Sequence, residues 1–450
     1  ADIMTYLYFE AMNVDPANPR MESRDRFVLS KGHVAPALYS TLASRGYFPV
    51  EELKTLRKLG TRLQGHPCMN ECPGIDMSSG SLGQGLSAAV GMAMAAKLKG
   101  DDYRVYALCG DGEIQEGQIW EAAMFAGFRK LDNLVLIVDN NNLQIDGAID
   151  EVCSPYPIDE KFKAFGFEVI CVDNGNDIPS LVDAFRKVKD STHPVCVHLN
   201  TLKGKGYGPA EENKENWHWH MPFDPETGKT KAVQGSGENY TQITNDFLMA
   251  KIKSDPKVCV ISPAVAVNVG FTKSKRDEAG NQFIDVGIAE EHGVAMASGI
   301  AKNGGKPVLS THSSFIQRTY DQISQDLCIN KNPATILITT ASVFGMNDVT
   351  HLGIFDIAMM SNIPNLVYLA PTNVEEYISM LDWSIEQTEF PVAIRQPCNG
   401  VHHAKKGSRI QKDWSNLNRY EVVQQGTETA IIALGDFFQI AEKACSLMKE

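Results

Sequence analysis

An aspartate and an asparagine, separated by an apolar segment, are the first candidates for chemistry in this sequence. Gly110-Asp111-Gly112 opens the stretch GDGEIQEGQIWEAAMFAGFRKLDNLVLIVDNNNLQIDG, and a run of three asparagines, Asn140, Asn141 and Asn142, stands near its end. Strands normally avoid both residue types. A carboxylate, an amide oxygen and a free backbone carbonyl form an oxygen ligand set that suits Mg²⁺ or Ca²⁺, with phosphate oxygens completing the coordination. The pair therefore predicts a divalent-cation site beside a phosphate group.

The elements around this pair explain how it would be brought together. Predicted strands at 104–109 and 133–139 end just before Asp111 and just before the asparagine run, at the carboxyl edge where open α/β sheets hold their ligands. A helix predicted over 116–129 points its amino terminus at the same edge, which favours a diphosphate. Gly-Asp-Gly alone is typical of a turn, so the prediction depends on the strand-helix-strand spacing.

The same alternation of short β-branched runs and helical patterns continues along the chain and is typical of parallel α/β layers. Further strands are predicted at 167–173 and 194–200, and later near 257–262, 282–287, 307–312, 334–340, 366–370 and 391–395, with another helix at 178–189. A polar region rich in glycine and lysine, 203–239, indicates a loop and linker. Irregular sequence at 401–420 precedes one more strand and helix within 429–449. The predicted fold class is α/β, with two parallel-sheet domains and the start of a third.

The amino-acid composition indicates which classes of molecule this chain is expected to bind. The 450 residues are 43% hydrophobic and 22% charged, with a net charge of −13. A chain this acidic is not expected to bind nucleic acid or an anionic membrane, because both reward a basic surface. Ten cysteines in apolar contexts indicate a reducing, cytoplasmic compartment, and we find no apolar run long enough to span a bilayer. The sequence begins and ends inside apparent helices, so we expect a fragment of a longer protein.

The spacing from Gly-Asp-Gly to Asn141 matches the thiamine-diphosphate motif, and the chain resembles the transketolase family over almost its whole length. The first half, with DRFVLSKGHVAPALYSTLASRGYF, RLQGHP and SSGSLGQGLSAAVGMAMAAKL, is similar to the amino-terminal subunit of split transketolases. The second half, with FDPETGK, FIDVGIAEEHGVAMASGIA, SSFIQRTYDQ and THLGIFD, is more similar to 1-deoxyxylulose-5-phosphate synthase, a related thiamine-diphosphate enzyme. The resemblance implies a diphosphate- and Mg²⁺-binding domain at 1–235, a pyrimidine-binding domain at 236–415 and an incomplete carboxyl-terminal domain at 416–450.

The resemblance also implies the cofactor contacts. The Mg²⁺ ligands would be Asp111, Asn141 and the carbonyl of Leu143, with Ca²⁺ able to substitute. Contacts to thiamine diphosphate are implied for Gly80, Leu82, Gly110, Asp111, Gly112, Asn141, Leu143 and Phe315, the last of which would stack on the aminopyrimidine. Glu290 would polarise the aminopyrimidine ring nitrogen as a carboxylic acid. From pattern alone, Glu290 equally fits a charge in the first turn of a helix, and Phe315 fits a core residue.

Substrate contacts follow from the same resemblance. Four histidines match family positions that line the cofactor and substrate channel, where imidazoles hydrogen-bond sugar hydroxyls and relay protons. They are His33, His66, His218 and His351. Arg318 and Arg395 are candidates for binding a phosphate, carboxylate or sulfonate, and Asn347 is a candidate for recognising a hydroxyl. Taken singly, a histidine is more often structural and an arginine more often a surface charge.

The sequence departs from the family pattern at three places, and these departures concern the substrate that the resemblance implies. Asn347 stands where both families usually have an aspartate, and Thr340 stands where the synthase has an arginine. The segment ISPAVAVNVGF lacks the serine that transketolases use at the donor phosphate. These changes favour a ketose other than the standard pentose phosphates, with a different anionic tail.

The sequence thus predicts a transketolase-type transferase, active as a homodimer, that moves a two-carbon ketol unit from a phosphorylated or similarly anionic ketose to an aldose. The active site would lie at the dimer interface. The alternative is a 1-deoxyxylulose-5-phosphate synthase, which joins pyruvate to glyceraldehyde 3-phosphate; Arg318 favours it and Thr340 opposes it. A third alternative, from another class, is a non-catalytic homologue that serves as a structural or regulatory partner.

Overall fold

The computed structural model describes residues 1–145, 147–218, 220, 222–231, 237–343, 350–416 and 421–448. The chain divides near residue 234 into two compact units, and Thr350 belongs to the first of them. Each unit is built on its own parallel sheet, with helices on both faces of that sheet. The predicted α/β class is therefore confirmed.

The first unit contains seven of the described strands. They are β1 Arg26–Leu29, β2 Val105–Gly110, β3 Leu134–Asn140, β4 Leu143–Gln144, β5 Gly147–Ala148, β6 Glu168–Val172 and β7 Val195–Asn200. Five of them form a parallel sheet in the order β1-β2-β3-β7-β6, while β4 and β5 form a separate antiparallel hairpin. Every residue of β2 is buried, which is why this strand is a continuous apolar run. The sequence does not predict β1, because four residues are too few to show a period.

Helices cover both faces of this sheet. They are α1 Asp2–Tyr6, α2 Ala35–Arg45, α3 Gln84–Lys99, α4 Gly117–Phe128, α5 Ile149–Val152, α6 Ile158–Ala164, α7 Ile178–Val188 and α8 Gly208–Glu212, with a π-helical turn at Leu7–Ala11 and 3₁₀ turns at Gly32–Val34, Val50–Thr55 and Glu113–Gln115. Adjacent residues of β3 point to opposite faces. Leu136 joins the core that contains residues of α3 and α4, and Ile137 joins the core that contains residues of α2 and α7. Burial on both faces fixes the strand ends that carry the predicted metal ligands.

The region predicted as a loop and linker, 203–239, is more ordered than its composition indicates. Its described part contains α8 and an aromatic cluster, in which the Trp217 ring lies 5.1 Å from the Tyr207 ring and 4.7 Å from the Phe223 ring, centroid to centroid. A helix of five residues is too short for its apolar spacing to be visible in a sequence. The loop prediction was therefore wrong for this part of the region.

The second unit contains six described strands. They are β8 Val258–Ser262, β9 Phe283–Asp285, β10 Lys306–His312, β11 Thr335–Thr339, β12 Val367–Leu369 and β13 Val392–Arg395. All pair in parallel, in the order β12-β13-β11-β10-β8-β9. Each lies within or beside a predicted strand. The register pairs His312 with Thr339, so the carboxyl ends of β10 and β11 lie side by side.

The helices of the second unit follow the strands in alternation. They are α9 Tyr240–Ser254, α10 Lys273–Ala279, α11 Glu290–Lys302, α12 Tyr320–Gln322, α13 Phe355–Ser361, α14 Val374–Glu386 and α15 Phe437–Leu447, with 3₁₀ turns at Ala266–Val269, Gly280–Gln282 and Ile316–Thr319 and a π-helical turn at Ile323–Ile329. Helix α14 begins with a side-chain cap, since Asn373 Oδ1 accepts the Glu376 N–H at 3.0 Å. None of the helices in the described ranges is both long enough and apolar enough to cross a membrane.

The strand predicted at the start of 429–449 is wrong. Residues 429–436 form no strand in the described structure, and the helix α15 follows them directly. Ile431 and Ile432 are 44% and 84% exposed. An apolar run forms a strand only where it packs against a pairing partner, and this run has no paired neighbour among the described residues.

Candidate active site

The carboxyl ends of β2 and β3 bring the predicted metal ligands to one edge of the first sheet. The two strands pair in register up to Gly110 and Asp139, and Asp111 and Asn141 directly follow β2 and β3. Asp111 is 1% exposed. Its Oδ1 accepts the Gly112 N–H at 3.0 Å, and its Oδ2 accepts the Asn142 N–H at 2.5 Å. Two backbone donors therefore hold the carboxylate in a single orientation.

Asn142 contributes through its backbone. Its φ of 56° is the left-handed conformation, which asparagine tolerates better than most residues, and this turn directs its N–H to Asp111. In the same turn, Asn141 Oδ1 accepts the Leu143 N–H at 3.1 Å. The backbone of Asn142 therefore takes part in orienting the Asp111 carboxylate, whereas the sequence analysis assigned no role to this residue.

The residues present fit a divalent cation. Burial, and to a smaller degree the neighbouring Asp139 carboxylate, raise the pKa of Asp111 to about 6. A bound cation would offset both effects, because it compensates for lost solvation and for the second negative charge. Asp111, Asn141 and the carbonyl of Leu143 are the oxygen donors that would hold Mg²⁺ or Ca²⁺.

Asp139, near the end of β3, is held by two donors from distant parts of the chain. The ammonium of Lys31 and the hydroxyl of Thr201 each donate to one of its oxygens. Burial acts to raise the pKa of Asp139, but Lys31 and Thr201 hold it below its usual value. Asp139 therefore stays charged at neutral pH, and the ion pair holds Lys31 at the edge that carries Asp111.

Glu113 connects three segments of this edge, and the sequence interpretation missed it. Its Oε1 accepts the Ser30 hydroxyl at 2.5 Å and the Gly83 N–H at 2.8 Å, and its Oε2 accepts the Gly110 N–H at 3.1 Å. Burial raises the pKa of Glu113, against the opposing effect of these donors. The only sequence signal is its position two residues after Asp111.

Gly80 and Leu82 lie just before α3, beside the 3₁₀ turn that carries His33. A Cβ atom on Gly32 would lie 2.8 Å from the Ser79 carbonyl oxygen and 2.9 Å from Gly80 Cα, so this approach of two backbones requires glycine. The structure therefore brings Gly80 to the His33 turn. Leu82 is half-buried in the same segment.

Two of the predicted histidines stack on each other in the first unit. The rings of His33 and His218 lie 5.5 Å apart, with 29° between their planes. Nδ1 of His218 lies 2.8 Å from Nζ of Lys203. The protein atoms packed around the rings, together with Lys203 and Lys31, hold the pKa of His33 well below its usual value and lower the pKa of His218 to about 3. Both rings are therefore neutral at pH 7.

His66 belongs to the same unit and is 6% exposed. The Tyr39 hydroxyl donates to its carbonyl at 3.1 Å, and its Nδ1 lies 3.0 Å from Oγ1 of Thr350. His66 also contributes to the lowered pKa of His33. The structure therefore brings three of the four predicted histidines together in the first unit.

In the second unit, Glu290 begins α11 and is 4% exposed. Arg318, in the 3₁₀ turn after β10, places Nη1 3.7 Å from Oε2 of Glu290. Glu290 does occupy the first turn of a helix, where the helix dipole favours an acidic residue. The same position also buries the carboxyl group beside the Arg318 guanidinium.

The predicted stacking residue Phe315 lies between two imidazoles. Its ring centroid is 4.8 Å from that of His312 and 5.5 Å from that of His351. Burial, and to a smaller degree His351, lower the pKa of His312 to about 4. His312 ends β10 and was not among the predicted site residues, because nothing local in THSSF distinguishes it from a strand residue.

Arg395 is buried and paired. Its Nε donates to Asp356 Oδ2 at 2.8 Å, and its Nη2 donates to the Gly353 carbonyl at 2.8 Å. Nη1 lies 3.9 Å from Oδ1 of Asp436. Much of its hydrogen-bonding capacity is therefore used within the unit.

Thr340 and Asn347 are two of the positions at which the sequence departs from the family pattern, and the structure describes the first of them. Thr340, after β11, has a φ of 52°, which is unusual for a β-branched residue and is typical of functional sites. Its short, neutral side chain cannot replace an arginine. Asn347 lies outside the described residues.

Comparison with known proteins gives the family. Residues 1–255 match the family described as "Transketolase, thiamine diphosphate binding domain", and residues 237–401 match "Transketolase, pyrimidine binding domain". The chain is 30% identical to 1-deoxy-D-xylulose-5-phosphate synthase of Desulforudis audaxviator, over 95% of this chain and 72% of that protein. It is 32% identical to the protein of the same name from Clostridium perfringens, over 95% of this chain and 74% of that protein.

Among solved structures, the chain is similar to transketolase from Campylobacter jejuni, with 24% identity, a TM-score of 0.45, and coverage of 87% of this chain and 72% of that one. Together the two matched domains span most of the sequence. The chain belongs to the transketolase family of thiamine-diphosphate-dependent enzymes.

Proposed function

We propose that this protein is a thiamine-diphosphate- and Mg²⁺-dependent transferase that moves a two-carbon ketol unit from an anionic ketose, such as a sugar phosphate, to an aldose. The observation that carries the proposal is the edge of the first sheet, where Asp111 and Asn141 follow adjacent strands and Lys31 and Lys203 supply positive charge. Carboxylate and amide oxygens suit Mg²⁺, and ammonium groups suit the diphosphate that the metal would anchor.

Each candidate residue has a defined task in this proposal. Thiamine diphosphate supplies, when bound, a nucleophilic C2 carbon that attacks the ketose carbonyl. Asp111, Asn141 and the Leu143 carbonyl would hold the metal. Glu290 would hold a proton at the aminopyrimidine ring nitrogen, and Phe315 would stack on that ring. The burial of Glu290 supports its task, because a carboxyl group shielded from water holds a proton more readily.

The histidines would orient sugar hydroxyls. His33, His66 and His218 are grouped in the first unit, and His351 contacts Phe315 in the second. Because their pKa values are lowered, His33 and His218 would bind hydroxyls as neutral rings across the physiological range.

Arg318 is the better candidate for the anionic tail of the substrate. Arg395 already donates to Asp356 and to a backbone carbonyl. Arg318 lies in the 3₁₀ turn that follows β10, at the carboxyl edge of the second sheet, with Nη1 3.7 Å from Oε2 of Glu290, the residue that we propose contacts the cofactor. A guanidinium in this position suits phosphate, carboxylate or sulfonate.

Thr340 favours ketol transfer over condensation with pyruvate. It stands where the related synthase has an arginine, at the carboxyl edge of the second sheet. Removal of one cation weakens the binding of a substrate that carries a carboxylate at the reacting end. A ketose has no charge there, so its two-carbon head does not need that arginine.

A second candidate function is 1-deoxy-D-xylulose-5-phosphate synthesis. The names of the relatives at 30–32% identity favour it, and so does Arg318, which matches the synthase pattern. The two candidates differ in their products, because condensation of pyruvate releases carbon dioxide and ketol transfer does not.

The test follows from that difference. The purified protein with thiamine diphosphate and Mg²⁺ is incubated either with pyruvate and glyceraldehyde 3-phosphate, or with a ketose phosphate and an aldose. We expect new ketose only in the second mixture. Carbon dioxide release in the first mixture, without transfer in the second, would establish the synthase instead. Absence of thiamine diphosphate binding by calorimetry would establish the non-catalytic alternative.

We further propose a cytoplasmic homodimer with the active site at its interface. The proposed domains of each chain are 1–235, 236–415 and 416–450, the last being the start of a carboxyl-terminal domain. An exposed apolar face supports self-association: Met124, Phe125 and Phe128 of α4 are 58%, 43% and 81% exposed. Such a face is costly in a monomer. Light scattering, which measures the molar mass in solution, tests the homodimer. We expect a dimer for wild type and for the control Leu59→Asp, at an isolated exposed residue, and a smaller mass for Phe128→Asp. A monomeric wild type would contradict the proposal.

A further inference from the structure

Lys203 and His218 form a close polar pair in the first unit that the sequence did not predict. Lys203 follows β7, and its Nζ lies 2.8 Å from Nδ1 of His218. Both side chains are half-buried, and the His218 ring stacks on His33. The hydrogen bond and the ring stacking therefore hold the pair in a defined geometry.

The chemistry of the two groups fixes the direction of this hydrogen bond. An ammonium group has three donors and no acceptor, whereas a neutral imidazole has one donor nitrogen and one acceptor nitrogen. A charged Lys203 therefore requires Nδ1 of His218 to accept, which leaves the ring proton on Nε2. We propose that Lys203 is a positioning residue that holds His218 neutral, as the Nε2–H tautomer, so that the ring presents one fixed donor to its ligand.

The charges around the pair support this assignment. Burial, followed by the cations Lys203 and Lys31, lowers the pKa of His218 to about 3. Burial and Lys31 lower the pKa of Lys203 to about 8, against the attraction of Asp139 and Asp111. Lys203 is therefore mostly charged at pH 7, while His218 is neutral.

The stacked ring of His33 does not change the protonation of His218. Burial, then His218, Lys31, Lys203 and His66, hold the pKa of His33 well below its usual value. His33 is thus a second neutral ring beside His218. Lys203 therefore determines which ring nitrogen of His218 carries the proton, because the neighbouring His33 is neutral and has no extra proton to exchange.

The assignment deepens the proposed function, and it rests on that function for the identity of the ligand. Oxygens of a sugar hydroxyl or of a ketose carbonyl accept hydrogen bonds, so an Nε2–H donor can orient either one. The same nitrogen cannot remove a proton while it carries one. His218 would therefore stabilise a substrate oxygen and would not act as a general base.

The tautomer can be observed directly and without any substrate. In the protein labelled with ¹⁵N-histidine, long-range ¹H–¹⁵N spectra distinguish Nδ1–H, Nε2–H and doubly protonated rings, and His218→Gln assigns the signal. We expect the Nε2–H pattern at pH 7, with no protonation between pH 5 and pH 8. An Nδ1–H or doubly protonated ring in the wild type would overturn the proposal, even if every Lys203 variant failed to fold.

Variants then test the cause. Lys203→Met keeps the length of the side chain and removes the donor, so we expect a mixture of tautomers and a rise in the pKa of His218. Lys203→Arg keeps a charged donor and should restore the Nε2–H form. Lys205→Met, at an exposed lysine of the same loop, should leave the spectrum unchanged. A wild-type pattern and titration in Lys203→Met would overturn the role of Lys203.

The role toward substrate has a separate readout. If ketol transfer is observed, Lys203→Met should make the pH profile of kcat/KM depend on a new group that titrates near neutrality, and Lys203→Arg should remove that dependence. A failure of the protein to transfer ketol units would remove this step and leave the tautomer result intact. An unchanged pH profile alongside a changed tautomer would show that His218 does not contact the reacting substrate.

Discussion

Nη1 of Arg318 lies 3.7 Å from Oε2 of Glu290, at the amino end of α11. The glutamate is 4% exposed, so its carboxyl group and the guanidinium face each other away from bulk water. This relationship separates two tasks, because Glu290 would hold the proton for the cofactor and Arg318 would bind the anionic end of the substrate.

Glu290→Gln should abolish most of the turnover and leave the fold intact. The amide keeps the shape of the side chain but cannot hold or release the proton, and loss of general acid-base catalysis costs roughly 10²–10⁴-fold in kcat. Glu291→Gln, at the next residue of the same helix turn, serves as the control and should retain activity. Melting temperatures of both variants should stay near that of wild type. Activity of Glu290→Gln within a few-fold of wild type removes Glu290 from the mechanism.

Arg318→Met should raise KM for an anionic ketose by roughly 10–100-fold, since a hydrogen bond to a charged group contributes about 1.5–3 kcal/mol. For an uncharged ketose, KM should change little. Arg186→Met, at an exposed arginine of α7, controls for a general loss of positive charge. Steady-state kinetics with the two donors decides the question. If kcat falls equally for both donors with KM unchanged, Arg318 acts through Glu290 and not on the anion.

Asp111→Asn should stabilise the metal-free protein at neutral pH while abolishing Mg²⁺-dependent cofactor binding. The pKa of Asp111 in the folded state, about 6, exceeds its ordinary value of 3.8, so the folded state binds the proton more tightly. Wild-type stability should therefore fall as the pH rises from about 4 to about 6, and the loss should be complete above that window. An asparagine does not ionise, so the variant keeps the part of the free energy of unfolding that wild type loses, which is roughly 1–3 kcal/mol.

Urea denaturation of EDTA-treated protein at pH 4 and pH 7 measures this difference. The advantage of Asp111→Asn should be present at pH 7 and shrink toward zero at pH 4. Asp183→Asn, at an exposed aspartate, should show no such dependence. A variant that is less stable than wild type at pH 7 contradicts the argument from burial.

Asp356→Asn should destabilise the second unit. Asp356 is fully buried and accepts from Nε of Arg395 at 2.8 Å, and its loss leaves the buried guanidinium with Asp436 at 3.9 Å. Removal of one partner of a buried ion pair costs about 3–5 kcal/mol. Asp183→Asn breaks an exposed pair with Arg186 instead and should cost less than about 1 kcal/mol. Equal effects of the two substitutions in urea denaturation would mean that Arg395 does not depend on Asp356.

Much of the sheet architecture follows from the sequence because buried parallel strands are continuous apolar runs. The strands β2 and β3 are of this kind, whereas β1 has four residues and gives no periodic signal. The strand predicted near 429 fails for the converse reason, since its apolar residues are exposed and lack a paired neighbour among the described residues.

The residues of the candidate site also fall into those that the sequence predicts and those that it does not. Asp111 and the asparagine run can be predicted because each follows a recognisable strand, and the family resemblance assigns the ligand position within that run to Asn141. The groups that orient and charge the site cannot, because they come from distant segments: Lys31 and Asp139 are 108 residues apart, and Ser30 and Glu113 are 83 apart. No local pattern predicts such a pair, and only the register of β1, β2 and β3 brings its members together.

The most direct test of the central claim follows the two carbons themselves. A ketose phosphate labelled with ¹³C at C1 and C2 is mixed with an unlabelled aldose, thiamine diphosphate, Mg²⁺ and the protein, and the products are followed by ¹³C NMR. We predict that both labels move together, still bonded to each other, to C1 and C2 of a new ketose, and that Asp111→Asn abolishes the transfer. Labels that stay in the donor, while pyruvate and glyceraldehyde 3-phosphate yield carbon dioxide in the same preparation, would contradict it.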